Sequence, residues 1–121
     1  MQFGWCHPAG DAAMLADLGY DFIELPLAAQ GLEDDASFTE AKRAVRNLPI
    51  SVGAFNYYMP QDVRVVGPDI DVNRVKSYLG RAAELLELAG ATVVVYGSGW
   101  ARNLSEGWTR ENQEEQYLQS L

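Results

Sequence analysis

Four short apolar runs alternate with segments of helical pattern along this chain, and this alternation limits the fold more than any other feature. The runs cover residues 1–6, 22–27, 50–55 and 92–97. Strands that alternate with amphipathic helices are typical of a parallel sheet covered by helices. We therefore predict an α/β fold in which residues 1–121 form a single domain of four βα units.

Capping residues predict where the helices begin and end. Three residues are suitable N-caps for the first, third and last helices: Asp11, Asp71 and Thr109. Gly19 and Gly90 are suitable stops for the first and third helices.

The second and last helices are less sharply bounded in the sequence. A polar loop is predicted at 28–37, and the second helix at 38–48, where Pro49 closes it. The last helix is predicted to run to the final residue, with three apolar contacts: Tyr117, Leu118 and Leu121.

Two architectures fit this rhythm, a small doubly wound sheet and one half of a (β/α)8 barrel. A complete barrel needs about 250 residues, so 121 residues hold about half of one. Residues 93–95 are three consecutive valines, which is typical of a buried parallel strand.

Several short motifs occur in a characteristic order. The chain contains the segment 20–25 (YDFIEL), Phe55-Asn56, Gly67-Pro68, Gly97-Ser98-Gly99, Ala101-Arg102 and Ser105-Glu106-Gly107. In this order and spacing they resemble the N-terminal half of the sugar phosphate isomerase/epimerase family, the xylose isomerase-like TIM barrels. Ser105 departs from the proline that is usual in the family.

The resemblance implies a (β/α)4 half of a TIM barrel, with parallel strands inside and helices outside. In the family, a divalent metal such as Mn²⁺ or Mg²⁺ is held by Glu, Asp, His and Glu at the ends of the fifth to eighth strands, and two of these glutamates move the proton. The sequence ends before any of those strands, and its only histidine, His7, follows the first strand. We therefore expect no catalytic residue, no metal ligand and no cofactor in this chain, and little or no isomerase activity from it alone.

The first four strands of such a barrel are expected to contribute contacts to a sugar or sugar phosphate. Function in a barrel gathers at the carboxyl ends of the strands. Sugars bind to hydrogen-bonding side chains beside an aromatic surface. The candidate substrate-binding residues are Glu24, Asn56, Ser98, Arg102 and Trp5.

Each candidate also has a structural interpretation. A carboxylate within an apolar strand is costly unless it is paired or faces a polar mouth, so Glu24 either faces the site or makes a structural hydrogen bond. The glycines of 97–99 either present backbone N–H groups to an anion or allow a tight turn. Arg102 either binds an anionic group or pairs with Glu106.

Other residues are assigned by the same reasoning. Cys6 is expected to be a small buried hydrophobe, and His7 to have a capping or surface role. Four aromatic residues either line a pocket or cover apolar surface that a missing half would bury: Tyr57, Tyr58, Trp100 and Trp108.

Charge and composition exclude some partners. The net charge of −8 disfavours nucleic acids and anionic membranes, because basic surface supplies most of that affinity. No apolar stretch approaches the ~20 residues that span a bilayer. With a single cysteine no internal disulfide forms, so we expect a reducing, cytoplasmic environment.

Half a barrel has two unpaired strand edges and an uncovered inner face. Such a chain self-associates, rearranges into a flatter sheet, or is a marginally stable truncated product. We expect a homo-oligomer formed through the exposed edges. The alternative to a half-enzyme is a non-catalytic α/β assembly or binding module.

Overall fold

The computed structural model describes residues 1–104 and 106–120, and its centre is one four-stranded parallel sheet. The strands are β1 (Gly4–Cys6), β2 (Phe22–Pro26), β3 (Ser51–Asn56) and β4 (Val93–Val94). The helices are α1 (Ala12–Asp17), α2 (Asp35–Asn47), α3 (Val72–Ala89) and α4 (Arg110–Gln119). Short 3-10 turns cover Ala9–Asp11, Ala28–Gln30 and Gly99–Arg102.

The strand order distinguishes the two architectures that the sequence allows. Strands pair in the sequential order β1-β2-β3-β4, and every pair is parallel. A doubly wound sheet instead reverses its strand order at a switch point. The prediction of a parallel four-stranded half of an α/β barrel is therefore confirmed, and the doubly wound alternative is wrong.

The predicted caps hold two of the helices as expected. The Asp71 side chain accepts a hydrogen bond from the Arg74 N–H at 2.9 Å, and the Thr109 hydroxyl accepts one from the Asn112 N–H at 3.3 Å. Gly90 ends α3 with a φ of 70°, a left-handed conformation that glycine adopts without strain.

Two boundaries differ from the sequence prediction. Helix α2 begins at Asp35, three residues earlier than predicted, because the Asp34 side chain caps it by accepting from the Ser37 N–H at 2.8 Å. Asp11 does precede α1, but its carboxylate binds the His7 ring at 2.7 Å and makes no capping bond.

The core lies between the outer face of the sheet and the helices. Ile23 and Leu25 of β2 are fully buried, and the register places them beside Val52 and Phe55 of β3. The helices contribute buried residues at helical spacing: Leu15, Phe38, Ala41, Val45, Val75, Tyr78, Ala82 and Leu85.

Three burial expectations are wrong. Val93 is 51 % exposed and Val95 46 % exposed, because β4 is an edge strand whose inner face nothing in the described chain covers. Cys6 is exposed for the same reason, on the opposite edge strand. Leu118 points to solvent from α4 and is 67 % exposed, while Leu121 lies outside the described residues.

Phe22 covers the amino-terminal end of the inner face. A Cβ atom added at Gly53 would lie 2.5 Å from Cδ2 and 2.7 Å from Cγ of the Phe22 ring, and one added at Gly4 would overlap the same ring. Glycine is therefore needed on both neighbouring strands to leave room for this ring.

We expect Gly53→Ala to lower the free energy of unfolding by about 1–3 kcal/mol, because the new methyl group displaces the Phe22 ring near its root. Urea denaturation measures this. The double variant with Gly53→Ala and Phe22→Ala should lose less stability than the sum of the losses in the two single variants.

Gly80→Ala is the matched control. Gly80 lies within α3 and a Cβ there meets nothing within 4 Å, so this variant should gain up to about 1 kcal/mol. Equal effects at positions 53 and 80 would contradict the packing role of Phe22.

Candidate functional site

A polar cluster lies on the inner face toward the carboxyl ends of β1 to β3. It consists of Cys6, Glu24 and Asn56, and the sheet register sets Cys6 directly beside Glu24. The Asn56 amide nitrogen donates to Glu24 Oε1 at 2.6 Å and to Cys6 Sγ at 2.7 Å. One amide therefore joins three strands at the end of the sheet where barrel sites form.

The cluster keeps unused hydrogen-bonding capacity. Asn56 is only 9 % exposed, and its Oδ1 has no hydrogen-bond partner in the part of the chain that the structure describes. An unsatisfied buried acceptor costs about 1–3 kcal/mol. Glu24 is half-buried and its Oε2 accepts no bond from any described residue. Two acceptor oxygens are thus held at this end of the inner face.

The structure shows the face on which Glu24 lies and the partner of its carboxylate. It lies on the inner face, and its carboxylate is also hydrogen-bonded to Asn56. The pairing of β2 with β3 shifts by one residue between Ile23 and Glu24, so that Glu24 pairs with Ala54. Asn56 lies two residues after Ala54 on β3 and therefore faces the same side of the sheet as Glu24.

Two aromatic rings form a shelf beside this cluster, which we call the aromatic shelf: Tyr57 and Trp100. Tyr57 directly follows Asn56 and is 56 % exposed, and its ring stacks on Trp100 with centroids 6.1 Å apart and an interplanar angle of 22°. The Trp100 indole N–H donates to the Pro60 carbonyl at 2.9 Å, which fixes that ring.

The backbone at Tyr57 is strained. Its φ is 45°, and it is the one non-glycine residue with positive φ in the described chain. This conformation costs about 1–2 kcal/mol for a residue with a side chain. Such strain persists where surrounding structure imposes it, and it gathers at functional sites.

Ser98 fastens the two loops at this end of the sheet to each other. It is fully buried, and its hydroxyl accepts from the Met59 N–H at 3.0 Å. A second bond, from the Val65 N–H to the Ala101 carbonyl at 2.8 Å, joins the same loops. The structure thus gives Ser98 a positioning contact beneath the shelf.

The two glycines beside Ser98 flank a tight turn. A Cβ at Gly97 or Gly99 would meet nothing within 4 Å, and neither residue has a positive φ. The chain does turn tightly here, because the Gly99 N–H donates to the Gly97 carbonyl at 2.7 Å around Ser98, whose φ is −69° and ψ 72°.

Neither Arg102 nor Trp5 makes a hydrogen bond with the polar cluster in the described chain. Arg102 is exposed and forms no ion pair with Glu106 or any other described residue. Burial raises the pKa of Tyr96, and the positive charge of Arg102 opposes that rise. Trp5 alternates with Cys6 along β1, so it lies on the outer face, where it contacts His7 and Tyr20.

A layer of tyrosines supports the site from the helix side. The Tyr78 hydroxyl donates to the Tyr58 carbonyl at 2.6 Å, and Tyr96 packs between Tyr58 and Tyr117. Burial raises the pKa of Tyr78 and of Tyr58. Sequence reasoning missed Tyr78, although it is one helical turn from Val75 and Ala82 on the buried side of α3.

Arginines of α3 hold the loop that follows β2. Arg74 donates to both oxygens of Glu33, at 2.6 and 2.7 Å, and to Asp62 at 2.8 Å. Arg81 donates to the Leu32 carbonyl at 2.8 Å and pairs with Asp35. The Arg74 guanidinium lowers the pKa of the Glu33 and Asp62 carboxyls, mainly through these hydrogen bonds.

A cavity of about 530 Å³ lies away from the polar cluster. It is lined by Val65, Ile70, Val75, Leu79 and Gln116, among others, between α3 and α4. None of the candidate substrate-binding residues reaches it, so its volume does not bear on the site at the strand ends.

The donor set does not fit a divalent metal. Over residues 1–104 and 106–120, no group of three or more His, Cys, Asp or Glu side chains could hold a metal ion together. Mn²⁺ and Mg²⁺ prefer several oxygen ligands, whereas the cluster offers one carboxylate already bonded to an amide. None of the described helices combines the length and hydrophobicity that crossing a bilayer requires.

Comparisons with known proteins show a likeness in fold. No family model and no curated protein matches the sequence. The structure is similar to apo 3-keto-D-glucoside 4-epimerase, YcjR, from E. coli, with a TM-score of 0.66 and 16 % identity. The alignment covers 99 % of this chain and 49 % of the epimerase chain, so this chain spans about half the length of that enzyme. At this identity the likeness shows the fold: half of an epimerase-like α/β barrel.

We expect Arg74→Gln to reduce the acid sensitivity of the fold. The Glu33 pKa lies below its ordinary 4.5, so its contribution is complete above that pH and disappears as the pH falls through the lowered value. At neutral pH the variant should lose at most about 1 kcal/mol, because these pairs are exposed. Urea midpoints across the acid range measure both effects.

Lys42→Gln serves as the control, since it breaks the separate Lys42–Glu84 pair and keeps the Arg74 contacts. If Arg74→Gln and the parent lose stability in parallel below pH 4.5, the Glu33–Arg74 contact does not contribute to the acid response.

Proposed function

We propose that this chain is the substrate-orienting half of a sugar or sugar phosphate isomerase/epimerase-like barrel and that it is inactive alone. The observation that carries the proposal is the Glu24–Asn56 pair on the inner face, toward the carboxyl ends of the strands. The epimerase-like fold supports the same assignment.

The unused oxygens of the cluster suit a polyhydroxylated ligand. Glu24 Oε2 is an acceptor for sugar hydroxyls, which are donors, whereas Asn56 Oδ1 is enclosed and reaches a ligand only if its side chain moves. The aromatic shelf offers an apolar ring face against which the C–H face of a sugar packs. Exposed Arg102 is a candidate partner for a phosphate group at the edge of the site.

The cluster holds one carboxylate and one thiol, and we assign neither of them the transfer of a proton. Isomerisation or epimerisation requires a base to remove a proton and an acid to return one. Glu24 is the single carboxylate of the cluster, and Asn56 does not titrate. We therefore assign this chain the binding and orientation of a sugar and not the transfer of a proton.

A binding module without chemistry is the second candidate. The contacts of Ser98 favour it, because they position loops and do not involve a reacting group. The two candidates predict the same sugar binding and differ only once a complementary half is supplied.

Glu24→Gln should weaken binding of D-fructose about 10- to 100-fold, because it removes a charged acceptor. Isothermal titration or ligand-observed NMR measures this affinity. Glu87→Gln, an exposed change on α3, should leave it unchanged. Unaltered binding by Glu24→Gln, or no binding by the parent, would overturn the proposed site.

Arg102→Gln tests whether Arg102 binds the phosphate group of a phosphorylated sugar. It should lower affinity for fructose 6-phosphate and leave that for fructose unchanged. With Mn²⁺ or Mg²⁺ added, the chain alone should give no aldose–ketose conversion above the protein-free rate. Turnover by the isolated chain would contradict the proposed inactivity.

Tyr57→Gly should relieve the positive φ and raise the free energy of unfolding by up to about 1 kcal/mol, while sugar affinity falls with the loss of the ring. Tyr57→Phe keeps the ring and should retain binding. A variant Tyr57→Gly that binds fructose as well as the parent would show that the aromatic shelf makes no contact with sugar.

A further inference from the structure

The inner face of the sheet is the largest unfinished feature of this molecule. Three of its apolar side chains lie at a surface that the described chain does not cover: half-buried Phe22, and Val93 and Val95. Parallel sheets are found with both faces covered, because their strands carry apolar residues on both sides. A cover for this face is therefore needed from outside the described chain.

The two edges of the sheet are also unpaired. No strand within residues 1–104 and 106–120 pairs with the outer edge of β1 or of β4. Each edge presents free backbone N–H and C=O groups, which readily pair with another strand. Because all four strands point the same way, the β4 edge of one chain can pair in parallel with the β1 edge of another.

We propose that two copies of this chain close one eight-stranded barrel, in which β4 of each copy pairs with β1 of the other. A twofold axis along the barrel makes both seams identical and leaves no open edge. The length of this chain is consistent with such an assembly. The chain aligns with 49 % of the epimerase chain, so two units of this size make up one complete barrel.

The polar cluster favours a closed barrel over two sheets packed face to face. A face-to-face pair would place Glu24 of both copies in an apolar layer without water, which is costly for a carboxylate. A barrel leaves its carboxyl-terminal mouth open, so Glu24 and Asn56 stay at a wet end.

The proposal goes beyond sugar binding, because association follows from the edges and the inner face alone. It also means that the site is shared. The twofold axis places two Glu24–Asn56 pairs on opposite walls of one cavity, each facing the other copy.

Sedimentation equilibrium on the whole chain tests the assembly. The parent should be a dimer, and Val95→Lys should be a folded monomer, because a lysine at this exposed position is tolerated by one chain and excluded by closure. Leu118→Lys replaces a more exposed apolar residue on α4 and should remain dimeric. A folded parent that stays monomeric at high micromolar concentration would overturn the proposal.

Cross-linking tests the seam and does not depend on the lysine variant. Val93→Cys or Val95→Cys places a thiol on the inner side of β4, where Cys6 of the second copy is the neighbouring thiol. Oxidation with diamide should give a covalent dimer with at least one of them, since adjacent strands lie within disulfide range. Met14→Cys, exposed on α1, should not cross-link.

The native cysteine of the parent chain tests the alternative, face-to-face packing of two sheets. In a closed barrel β1 of one copy and β1 of the other are on opposite walls, so the two native Cys6 thiols are too far apart to bond. Covalent dimers of the parent through Cys6 would show face-to-face packing and reject the barrel. Loss of dimer with sugar binding intact would reject the assembly and leave the proposed function standing.

Discussion

The requirement that a parallel sheet be covered on both faces governs this structure. The outer face satisfies it, because Ile23, Leu25 and Phe55 pack beneath the helices. The inner face does not, so Val93 and Cys6 remain exposed although their types are usually buried. The same open face carries the Glu24–Asn56 pair. The candidate site and the unfinished core are therefore two parts of one surface.

The elements could be predicted from the sequence because their signals are local. Asp71 and Gly90 bound α3 through contacts with residues a few positions away, and the alternating rhythm predicted four βα units. The rhythm left the strand order open between half a barrel and a doubly wound sheet. The burial of β4 could not be predicted locally. Three valines look the same in a central strand and in an edge strand, and only the missing neighbour distinguishes the two.

The candidate site was predicted in part. Glu24 and Asn56 do meet, since the carboxyl ends of neighbouring parallel strands converge. Trp5 lies on the outer face, which the sequence did not reveal. Side chains alternate along a strand, and the mixture of residue types in β1 does not show which of them face inward. Ser98 is buried beneath a loop whose path depends on Met59, far away in the sequence. Tyr57 carries no sequence signal for a positive φ.

The sequential strand order has a consequence for how the chain acquires its fold. Gly4 pairs with Phe22, Ile23 with Val52, and Ala54 with Val93, so each strand finds its partner already synthesised. During translation the sheet can grow from one side only, by addition of successive βα units. At every stage the newest strand is the one that accepts the next, and β4 occupies that position once residues 93–94 have left the ribosome.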